Sequence, residues 1–430
     1  MTSDAGSDAF IEYAYDIAAN ALLKGEGDAA FAFLRKLLDA DPRHLTLLWR
    51  LADAASHQRD YAAARKALEA ALAIDPQHFE SHIGLAVVLE ELGAGAAAQE
   101  MWQGDILRGA IRVHPYVGTA DPVRVLTIAS ALHSIRYELF ADPATMLNMT
   151  LYTQTYDASQ PLPEHDVVLV AVADVESDSR ALEAASAIVA RSAAPIINPP
   201  ERVLRTSRAE QSRRLAGLDN VVTATVVIVP CEALQGPDRA AFIAAQGLTF
   251  PLLVRSPGFH NGRFFELVRD EAELLAAASS MPGTDAMLIT YQDTRSADGL
   301  MRKFRVMTID GRLYPVHLAI STNWKVHYVT SDMHRNSAFR DEEAAFLADM
   351  SGFIGPEAVR ALERIAQSMQ LDYAGIDFSV DAAGRVVVFE ANAAMAIFLP
   401  DADPRWDYRR GPMTRALDAV KRMIVTRASR

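Results

Sequence analysis

The sequence predicts an α-helical repeat domain followed by a small α/β domain and a larger α+β domain. Three observations predict this order. Helix-forming Ala and Leu recur with a fixed period near the N-terminus, continuous apolar strands begin near residue 121, and two hairpin patterns occupy the C-terminal half. We expect three domains, which comprise residues 1–118, 119–200 and 201–430. A chain of 430 residues is long enough for two or three such domains, each with its own core.

Composition and charge exclude several classes of protein. A net charge of −13 and a pI near 5.3 argue against a nucleic-acid-binding surface, which needs clustered basic residues. The single cysteine, Cys231, excludes an intramolecular disulfide and a thiolate metal site, and we expect it to be buried. No apolar stretch reaches the roughly 18 residues of a membrane span, and the first residues lack a signal-peptide pattern. We therefore expect a cytoplasmic protein without nucleic-acid or membrane partners.

The N-terminal segment repeats every 34 residues, because Asp41-Pro42 recurs as Asp75-Pro76. Small and large apolar residues keep the same spacing before each proline, which is typical of tetratricopeptide repeats. The repeated positions are Ile17, Ala18, Ala30, Leu34, Leu37 and Pro42, then Leu51, Ala52, Ala64, Leu68, Ala71 and Pro76, then Leu85, Ala86, Ala98 and Trp102. The segment resembles a three-unit array with a concave surface for a peptide or partner protein. A packing or dimerisation module without a ligand is the alternative.

The chain changes to an α/β pattern near residue 121. Residues 123–128, 150–156 and 166–172 are expected to form strands, and a helix is expected at about 177–192, so we predict a small, mainly parallel sheet. No glycine-rich dinucleotide-binding turn follows the first strand, and we expect no redox cofactor. Further strands are expected at 221–229, 252–255 and 288–292, with hairpins at 302–321 and 373–392 and a helix at 356–369.

The C-terminal hairpin carries two carboxylates and an amide among apolar residues. Glu390 and Asn392 are two residues apart in one strand and therefore share a face. If the loop has two or four residues, Asp377 on the preceding strand lies on that face as well. Carboxylate and amide oxygens are ligands that suit Mg²⁺. We predict a metal site of Asp377, Glu390 and Asn392. A surface hairpin with a solvated polar face is the alternative, and the apolar neighbours weigh against it.

The spacing of Asp377, Glu390 and Asn392 resembles the metal-binding hairpin of ATP-grasp ligases such as D-alanine–D-alanine ligase. This resemblance implies an α/β pre-ATP-grasp domain followed by an ATP-grasp domain. It also implies that Asp377 and Glu390 hold one or two Mg²⁺ ions, that Glu390 bridges them, and that Asn392 completes the second. The chain continues with Ala393-Ala394-Met395, where many relatives have a proline-containing segment that touches substrate, so the resemblance does not give the substrate class.

The same resemblance implies a nucleotide site. Residues 250–263 are similar to the strand and glycine-rich loop that cover the phosphates, with Arg255 in place of the usual lysine. Residues 288–292 are similar to the hinge strand that reads adenine. Arg305 resembles a phosphate contact of bacterial glutathione synthetase, and Lys303 shares its face; a solvated basic edge is the alternative. The expected ATP-binding residues are Arg208, Arg255, Gly258, Gly262, Thr290, Tyr291, Gln292, Lys303 and Arg305, with Asp293 as an alternative to Gln292. Lys303 and Arg305 are also the expected catalytic residues.

Several polar and aromatic residues lie between the second hairpin strand and the next helix. They are His317, Trp324, His327, His334 and Arg335. The irregular spacing of the histidines favours packing or surface positions over a zinc site. Contact of some of these residues with substrate is the alternative, because the segment borders the expected cleft.

The resemblance implies an ADP-forming ligase with ATP and Mg²⁺ as cofactors. A substrate carboxylate would be activated as an acyl phosphate and attacked by an amine, with the repeats holding a peptide or protein substrate. One alternative is a small-metabolite ligase whose repeats serve only assembly, for example as a homo-oligomer. Another is a non-catalytic nucleotide-binding scaffold that binds partners through its repeats. The sequence names neither the acid nor the nucleophile, and it does not distinguish an amide product from an ester.

Overall fold

The computed structural model describes residues 27–42, 44–132, 134–258, 264–326, 331–400 and 403–429. Contacts divide the chain into two compact units. The first contains the residues up to Arg112 together with Ser130–Leu132 and Thr150–Leu162, and the second contains Val113–Ala129, His133–Met149 and Pro163–Arg430. The helical repeats lie in the first unit, and all of the expected ATP- and metal-binding residues that the structure describes lie in the second.

The repeats are built from consecutive helices with closely packed small residues. These are α1 (Gly27–Ala40), α2 (Leu45–His57), α3 (Tyr61–Ile74), α4 (Phe79–Glu91) and α5 (Gly95–Trp102). The predicted apolar and small positions from Leu34 to Trp102 are buried, apart from the half-buried Leu37, which confirms the predicted period. Ile17, Ala18 and the side chain of Ala30 lie outside the described residues.

Histidines begin two of these helices, 34 residues apart in the sequence. The imidazole of His44 accepts the Leu47 N–H at the start of α2, and that of His78 accepts the Ser81 N–H at the start of α4. Each satisfies a backbone donor that a first helical turn leaves without a partner. Since histidine is an uncommon N-cap, the sequence pattern alone did not indicate this role.

A five-stranded sheet has the strand order β1-β3-β2-β4-β5. Its strands are β1 (Ile111–Val113), β2 (Val123–Ala129), β3 (Met146–Tyr152), β4 (Val167–Val170) and β5 (Ile196–Ile197). The pairs β2–β4 and β4–β5 are parallel, as predicted. The strand expected at 150–156 begins earlier, and Thr153–Thr155 forms a 3₁₀ turn instead.

A second, four-stranded sheet is antiparallel throughout and has the order β7-β10-β8-β9. Its strands are β7 (Val226–Pro230), β8 (Leu252–Arg255), β9 (Phe265–Val268) and β10 (Asp285–Thr290). The single strand expected at 221–229 is wrong. The chain forms β6 (Val221–Thr223) in a different sheet and then crosses into β7, and the continuous apolar run gives no sign of that crossing.

The chain enters the four-stranded sheet just after Thr225 and leaves it at Thr290, and hydrogen bonds join these two residues. The Thr225 N–H donates to the hydroxyl oxygen of Thr290 at 2.8 Å, and the Thr290 N–H donates to the Thr225 carbonyl at 3.0 Å. Thr225 lies between β6 and β7, and Thr290 ends β10. Entry to and exit from the four-stranded sheet therefore meet at one point.

The third sheet has the order β12-β11-β13-β14-β6. Its long strands are β11 (Met301–Ile309), β12 (Arg312–Ser321), β13 (Tyr373–Val380) and β14 (Val386–Asn392). The predicted turn at Asp310-Gly311 is confirmed, with φ of 48° and 75°, as a tight two-residue hairpin requires. On one face of the sheet, the rings of Phe304 and Phe378 stack at 5.3 Å.

Helices cover the sheets of the second unit. They are α6 (Ser179–Val189), α7 (Pro200–Val203), α8 (Arg208–Leu215), α9 (Cys231–Gln235), α10 (Arg239–Ala245), α11 (Glu271–Ser280), α12 (Ser337–Ala348), α13 (Met350–Ile354), α14 (Pro356–Met369) and α15 (Asp407–Ala428). Cys231 is buried, as expected, and burial raises the pKa of its thiol. Within the described ranges, no helix has the length and hydropathy needed to cross a membrane.

Candidate functional site

Four residues lie side by side across adjacent strands of the third sheet. His317 on β12 is opposite Arg305 on β11, Arg305 is opposite Asp377 on β13, and Asp377 is opposite Glu390 on β14. Directly opposite residues of antiparallel strands share a face, with their Cβ atoms about 5 Å apart. We call these four residues the transverse row. The row brings together an arginine, a histidine and two carboxylates on the sheet face opposite the stacked rings of Phe304 and Phe378.

A β-bulge at Phe389 interrupts the regular alternation of side chains along β14. In a regular strand Val388 and Glu390 would share a face, because side chains alternate. Here Asp377 pairs with Glu390, whereas the next residue, Phe378, pairs with Val388. Val388 therefore joins the apolar face with Phe378, while Glu390 joins the transverse row. A bulge that redirects a side chain in this way is a common feature near functional sites.

The hairpin loop differs from the sequence expectation, and the bulge compensates for the difference. The loop runs from Asp381 to Arg385, five residues rather than two or four. A five-residue loop with regular pairing would set Asp377 opposite Phe389 and leave Glu390 on the other face. The bulge advances the pairing by one residue and places Glu390 opposite Asp377. The predicted shared face is therefore present, for a reason that the sequence did not reveal.

Inserting an alanine between Phe389 and Glu390 is expected to abolish binding of the magnesium complex of a non-hydrolysable ATP analogue. The extra residue takes the place opposite Asp377 that Glu390 now holds, and the one-residue slip turns Glu390 and the strand residues after it to the opposite face. Binding is measured by calorimetry on protein whose circular dichroism is unchanged. Phe389→Ala is the control, because it keeps the residue count and truncates a side chain that is 40% exposed. Unaltered affinity in the folded insertion variant would contradict the assignment of Glu390 to the metal site.

Asp377 is fully buried and is bound by two cations. Its carboxylate accepts from Nε of Arg305 at 2.6 Å and from Nη2 at 3.0 Å, a two-point contact, and Nζ of Lys303 lies 2.6 Å from Oδ2. Burial opposes the ionised carboxylate, but Arg305 and Lys303 outweigh it and hold the pKa of Asp377 well below its usual value. The carboxylate is therefore ionised at neutral pH.

Glu390 is bound by Arg208, which also holds a second carboxylate. Nη2 of Arg208 donates to Glu390 and Nη1 donates to Glu176, whose other oxygen accepts the Arg208 N–H at 3.1 Å. Asn392 donates from Nδ2 to Glu390 at 2.8 Å. Burial opposes the charge of Arg208, yet Glu390, Glu176 and Asp174 raise its pKa overall. The Arg208 side chain thus links the hairpin to the loop that carries Glu176.

Sequence reasoning missed Glu176, although a signal for it exists. The residue lies in the loop that follows β4, a parallel strand buried along its whole length. Ligands of open α/β sheets gather at the carboxyl ends of parallel strands, at loops of this kind. A carboxylate in such a loop, here Glu176 with Asp174 two residues before it, is a reasonable candidate for the site.

The donor atoms suit Mg²⁺ held jointly with phosphate. Asp377 and Glu390 supply carboxylate oxygens, and Oδ1 of Asn392 points to the Ala394 N–H at 3.0 Å, which fixes the orientation of the amide. Mg²⁺ usually takes one or two carboxylates and completes its shell with water and phosphate oxygens. Among the described residues no group of three or more His, Cys, Asp or Glu could hold a metal ion. The site fits a shared metal rather than a cage made only of protein ligands.

The segment after Asn392 folds back over β13. The Tyr373 hydroxyl donates to the Met395 carbonyl at 2.6 Å, and the Met395 side chain lies against Gly375. A Cβ at position 375 would come within 2.5 Å of Met395. Ala393-Ala394-Met395 is therefore a packed segment of the sheet face, and the glycine beneath it leaves the necessary space.

The other expected phosphate and adenine residues lie on the four-stranded sheet. Burial lowers the pKa of the Arg255 guanidinium, and the positive charge of Arg208 lowers it further, while Glu390 opposes both effects. Gly258 lies in the loop after β8 and has a φ of 73°, whereas Gly262 lies outside the described residues. Thr290, Tyr291 and Gln292 are at the end of β10; Thr290 bonds Thr225, and the Tyr291 ring meets Trp324 at 6.4 Å.

His317 belongs to a buried polar network that the sequence did not predict. Glu343 on α12 is completely buried and accepts from Nδ1 of His317 at 2.7 Å, from the Leu318 N–H at 3.2 Å, from the Tyr408 hydroxyl at 2.6 Å and from Nη2 of Arg409 at 2.6 Å. A carboxylate only accepts, so Nδ1 of His317 carries the hydrogen. Burial lowers the pKa of His317 and keeps it neutral. The network fixes the end of the transverse row at the edge strand.

Comparison with known proteins gives a repeat match and distant structural likenesses. Residues 55–104 match the family model of the tetratricopeptide repeat. No curated protein matches the chain. A RimK-domain ATP-grasp protein of Sphaerobacter thermophilus is 17% identical with a TM-score of 0.41, covering 71% of this chain and all of that one. The D-alanine–D-alanine ligase of Bacillus anthracis complexed with ATP is 12% identical (TM-score 0.44, 72% and 99% covered), and that of Coxiella burnetii is 11% identical (TM-score 0.47, 71% and 96% covered).

These likenesses concern the fold alone. The described residues form helical repeats followed by three sheets with flanking helices, in the order that the sequence predicted. The fold class predicted from the sequence is confirmed.

Proposed function

We propose that the protein is an ATP-dependent ligase that activates a carboxylate as an acyl phosphate for attack by an amine. The observation that supports the proposal is the transverse row with its neighbours. Two carboxylates, one fully buried, lie within hydrogen-bonding distance of three cations on one face of a sheet. The cations suit a triphosphate, and the carboxylates suit the metal ion that accompanies it.

Each side chain of the site has a separate part in the proposed reaction. Arg305 and Lys303 bind the transferred phosphoryl group and stabilise the charge that develops on it, while Arg208 and Arg255 hold the remaining phosphates. Asp377, Glu390 and Asn392 hold Mg²⁺, which when bound neutralises phosphate charge. No covalent intermediate on the protein is required, which agrees with a buried Cys231 outside the row. Thr290 to Gln292 are proposed to contact adenine.

The repeats leave two versions of this function open. In the first, their surface holds a peptide or protein that carries the carboxylate or the amine. In the second, the substrates are small metabolites and the repeats serve assembly. The non-catalytic scaffold is less favoured, because a purely structural site need not retain a fully buried Asp377 under two cations, an arrangement that is costly to desolvate.

A screen of carboxylic acids and short peptides tests the proposed reaction. Each acid is incubated with protein, MgATP and hydroxylamine, a nucleophile that traps acyl phosphates as hydroxamates. We expect ADP release above the acid-free blank, with hydroxamate formed in equal amount. Binding of the magnesium complex of an ATP analogue is measured first by calorimetry. If that complex does not bind, the proposed nucleotide site is wrong.

Arg305→Lys is expected to lower the rate of ADP production by about 10²-fold, the usual loss when one preorganised donor is removed. Lysine retains the charge but not the planar two-point contact that arginine makes with Asp377 and would make with a phosphoryl group. Arg360→Lys is the control, because Arg360 makes an exposed pair with Glu357 elsewhere. Equal rates for Arg305→Lys and the control would show that the Arg305 guanidinium does not contact the phosphoryl group.

A further inference from the structure

The proposed metal-binding residues and the proposed phosphate-binding residues form ion pairs with one another. Arg305 and Lys303 contact Asp377, and Arg208 contacts Glu390 and Glu176. Each proposed metal carboxylate is therefore covered by a proposed phosphate ligand. Three cations face three carboxylates in this set, so its formal charges cancel. Such a set offers little net attraction to a free divalent cation or to a free triphosphate.

Either ligand alone must break ion pairs to bind. A metal ion that takes Asp377 and Glu390 displaces the cations that hold them. A triphosphate that takes Arg305 and Lys303 leaves Asp377, whose side chain is 1% exposed, without a counter-ion, and an uncompensated buried charge is costly. When both ligands bind together, the metal takes the carboxylates and the phosphates take the cations. No charge is then left without a partner.

We propose that the two ligands bind by partner exchange: each frees the residues that the other needs, and Glu176 retains Arg208 at the site while Glu390 turns to the metal. This inference rests on the proposed function. Glu176 is a positioning residue, since it acts through Arg208, to which it is joined at both the backbone N–H and the guanidinium. Coupling between two ligands typically changes each affinity by about 5- to 150-fold.

Metal-free nucleotide binding gives the first test. ATP is titrated into the full-length protein in excess EDTA and the heat is recorded. Asp377→Asn is expected to bind metal-free ATP about tenfold more tightly than the unaltered protein, because Arg305 and Lys303 are released from an ionised partner. The same variant should bind the magnesium complex more weakly. Glu357→Gln, in the exposed pair with Arg360, is the control and should change neither.

Nucleotide-free metal binding gives the second test. Mn²⁺ replaces Mg²⁺ as the probe, because the free ion is counted by electron paramagnetic resonance. Arg208→Gln is expected to bind Mn²⁺ about tenfold more tightly, since Glu390 loses its competing cation. Glu176→Gln should do the opposite and weaken Mn²⁺ binding several-fold, because Arg208 then keeps the ion pair with Glu390 and loses the one with Glu176. Arg360→Gln is the matched control.

The signs of these changes decide the inference. Metal-free ATP binding that is unchanged or weaker in Asp377→Asn overturns it, as does Mn²⁺ binding that is unchanged or weaker in Arg208→Gln. A Glu176→Gln variant that binds Mn²⁺ as tightly as the unaltered protein removes the positioning role. Failure of the proposed function is a different result, in which the unaltered protein binds no magnesium–nucleotide complex at all.

Discussion

Asp377→Asn is expected to lower magnesium-dependent ADP production by about 10³-fold while the protein remains folded. The substitution replaces a carboxylate oxygen, which suits a hard cation, with a neutral amide of the same size. It also removes the negative charge with which both Arg305 and Lys303 form ion pairs. Metal ion, phosphoryl group and cations thus lose the group that positions them together. Because these residues act as a unit, removing one of them is expected to cost nearly as much as removing all of them.

The magnesium dependence of the rate is the decisive measurement for this variant. If Asp377 binds the metal, the concentration of Mg²⁺ that gives half-maximal rate should rise by at least about tenfold, and higher Mg²⁺ should recover part of the activity. Glu390→Gln should behave similarly, because Glu390 is the neighbouring member of the row. Glu357→Gln serves as the control carboxylate. A rate within a few-fold of the unaltered protein in Asp377→Asn would show that the metal assignment is wrong.

Glu343→Ala is expected to reduce the free energy of unfolding by about 3–5 kcal/mol, the usual cost of removing one partner from a buried ion pair. The substitution removes the carboxylate that accepts from both Arg409, which is 3% exposed, and Nδ1 of His317. Urea unfolding followed by tryptophan fluorescence measures the change, since the Arg409 guanidinium lies 4.0 Å from the Trp406 ring. Glu357→Ala should leave the free energy of unfolding nearly unchanged, because its pair is exposed.

The ionised carboxylate of Glu343 predicts that the free energy of unfolding depends on pH. Burial opposes ionised Glu343, but the hydrogen bond from His317 and the positive charge of Arg409 outweigh it and lower the pKa of Glu343 below the usual 4.5. A depressed folded-state pKa contributes stability above pH 4.5, and that stability is lost as the pH falls through the folded-state value. The stability difference between the unaltered protein and Glu343→Gln should therefore shrink below about pH 4. A difference that is constant from pH 7 to pH 3 would contradict the ionised state of Glu343.

The sequence predicted those elements whose signals are local. The Asp310-Gly311 turn, the helix at 356–369 and the 34-residue period are set by a few adjacent residues or by a fixed spacing, and the structure confirms all three. The roles of Asp377, Glu390 and Asn392 remain a prediction, but their placement on one face follows from strand alternation and from the bulge. Local patterns thus gave the elements correctly without giving the reason for the register.

The remaining features depend on contacts between distant parts of the chain. Phe389 ends an apolar run and carries no sign that it will be the extra residue of a bulge. Glu176 and Arg208 are 32 residues apart, and Glu343 is 26 residues from His317, so neither pair has a local pattern. The apolar run at 221–229 likewise conceals a change of sheet, because both sheets require the same residue types.

The hydrogen-bonded meeting of Thr225 and Thr290 has a mechanical consequence. Both covalent links of the four-stranded sheet to the third sheet pass this one corner, so a rotation of one sheet relative to the other would turn about it. Thr290 pairs with Leu252 at the near end of β8, and Arg255 lies at the far end. A small rotation about the corner would therefore displace Arg255 farther than the residues directly after β10.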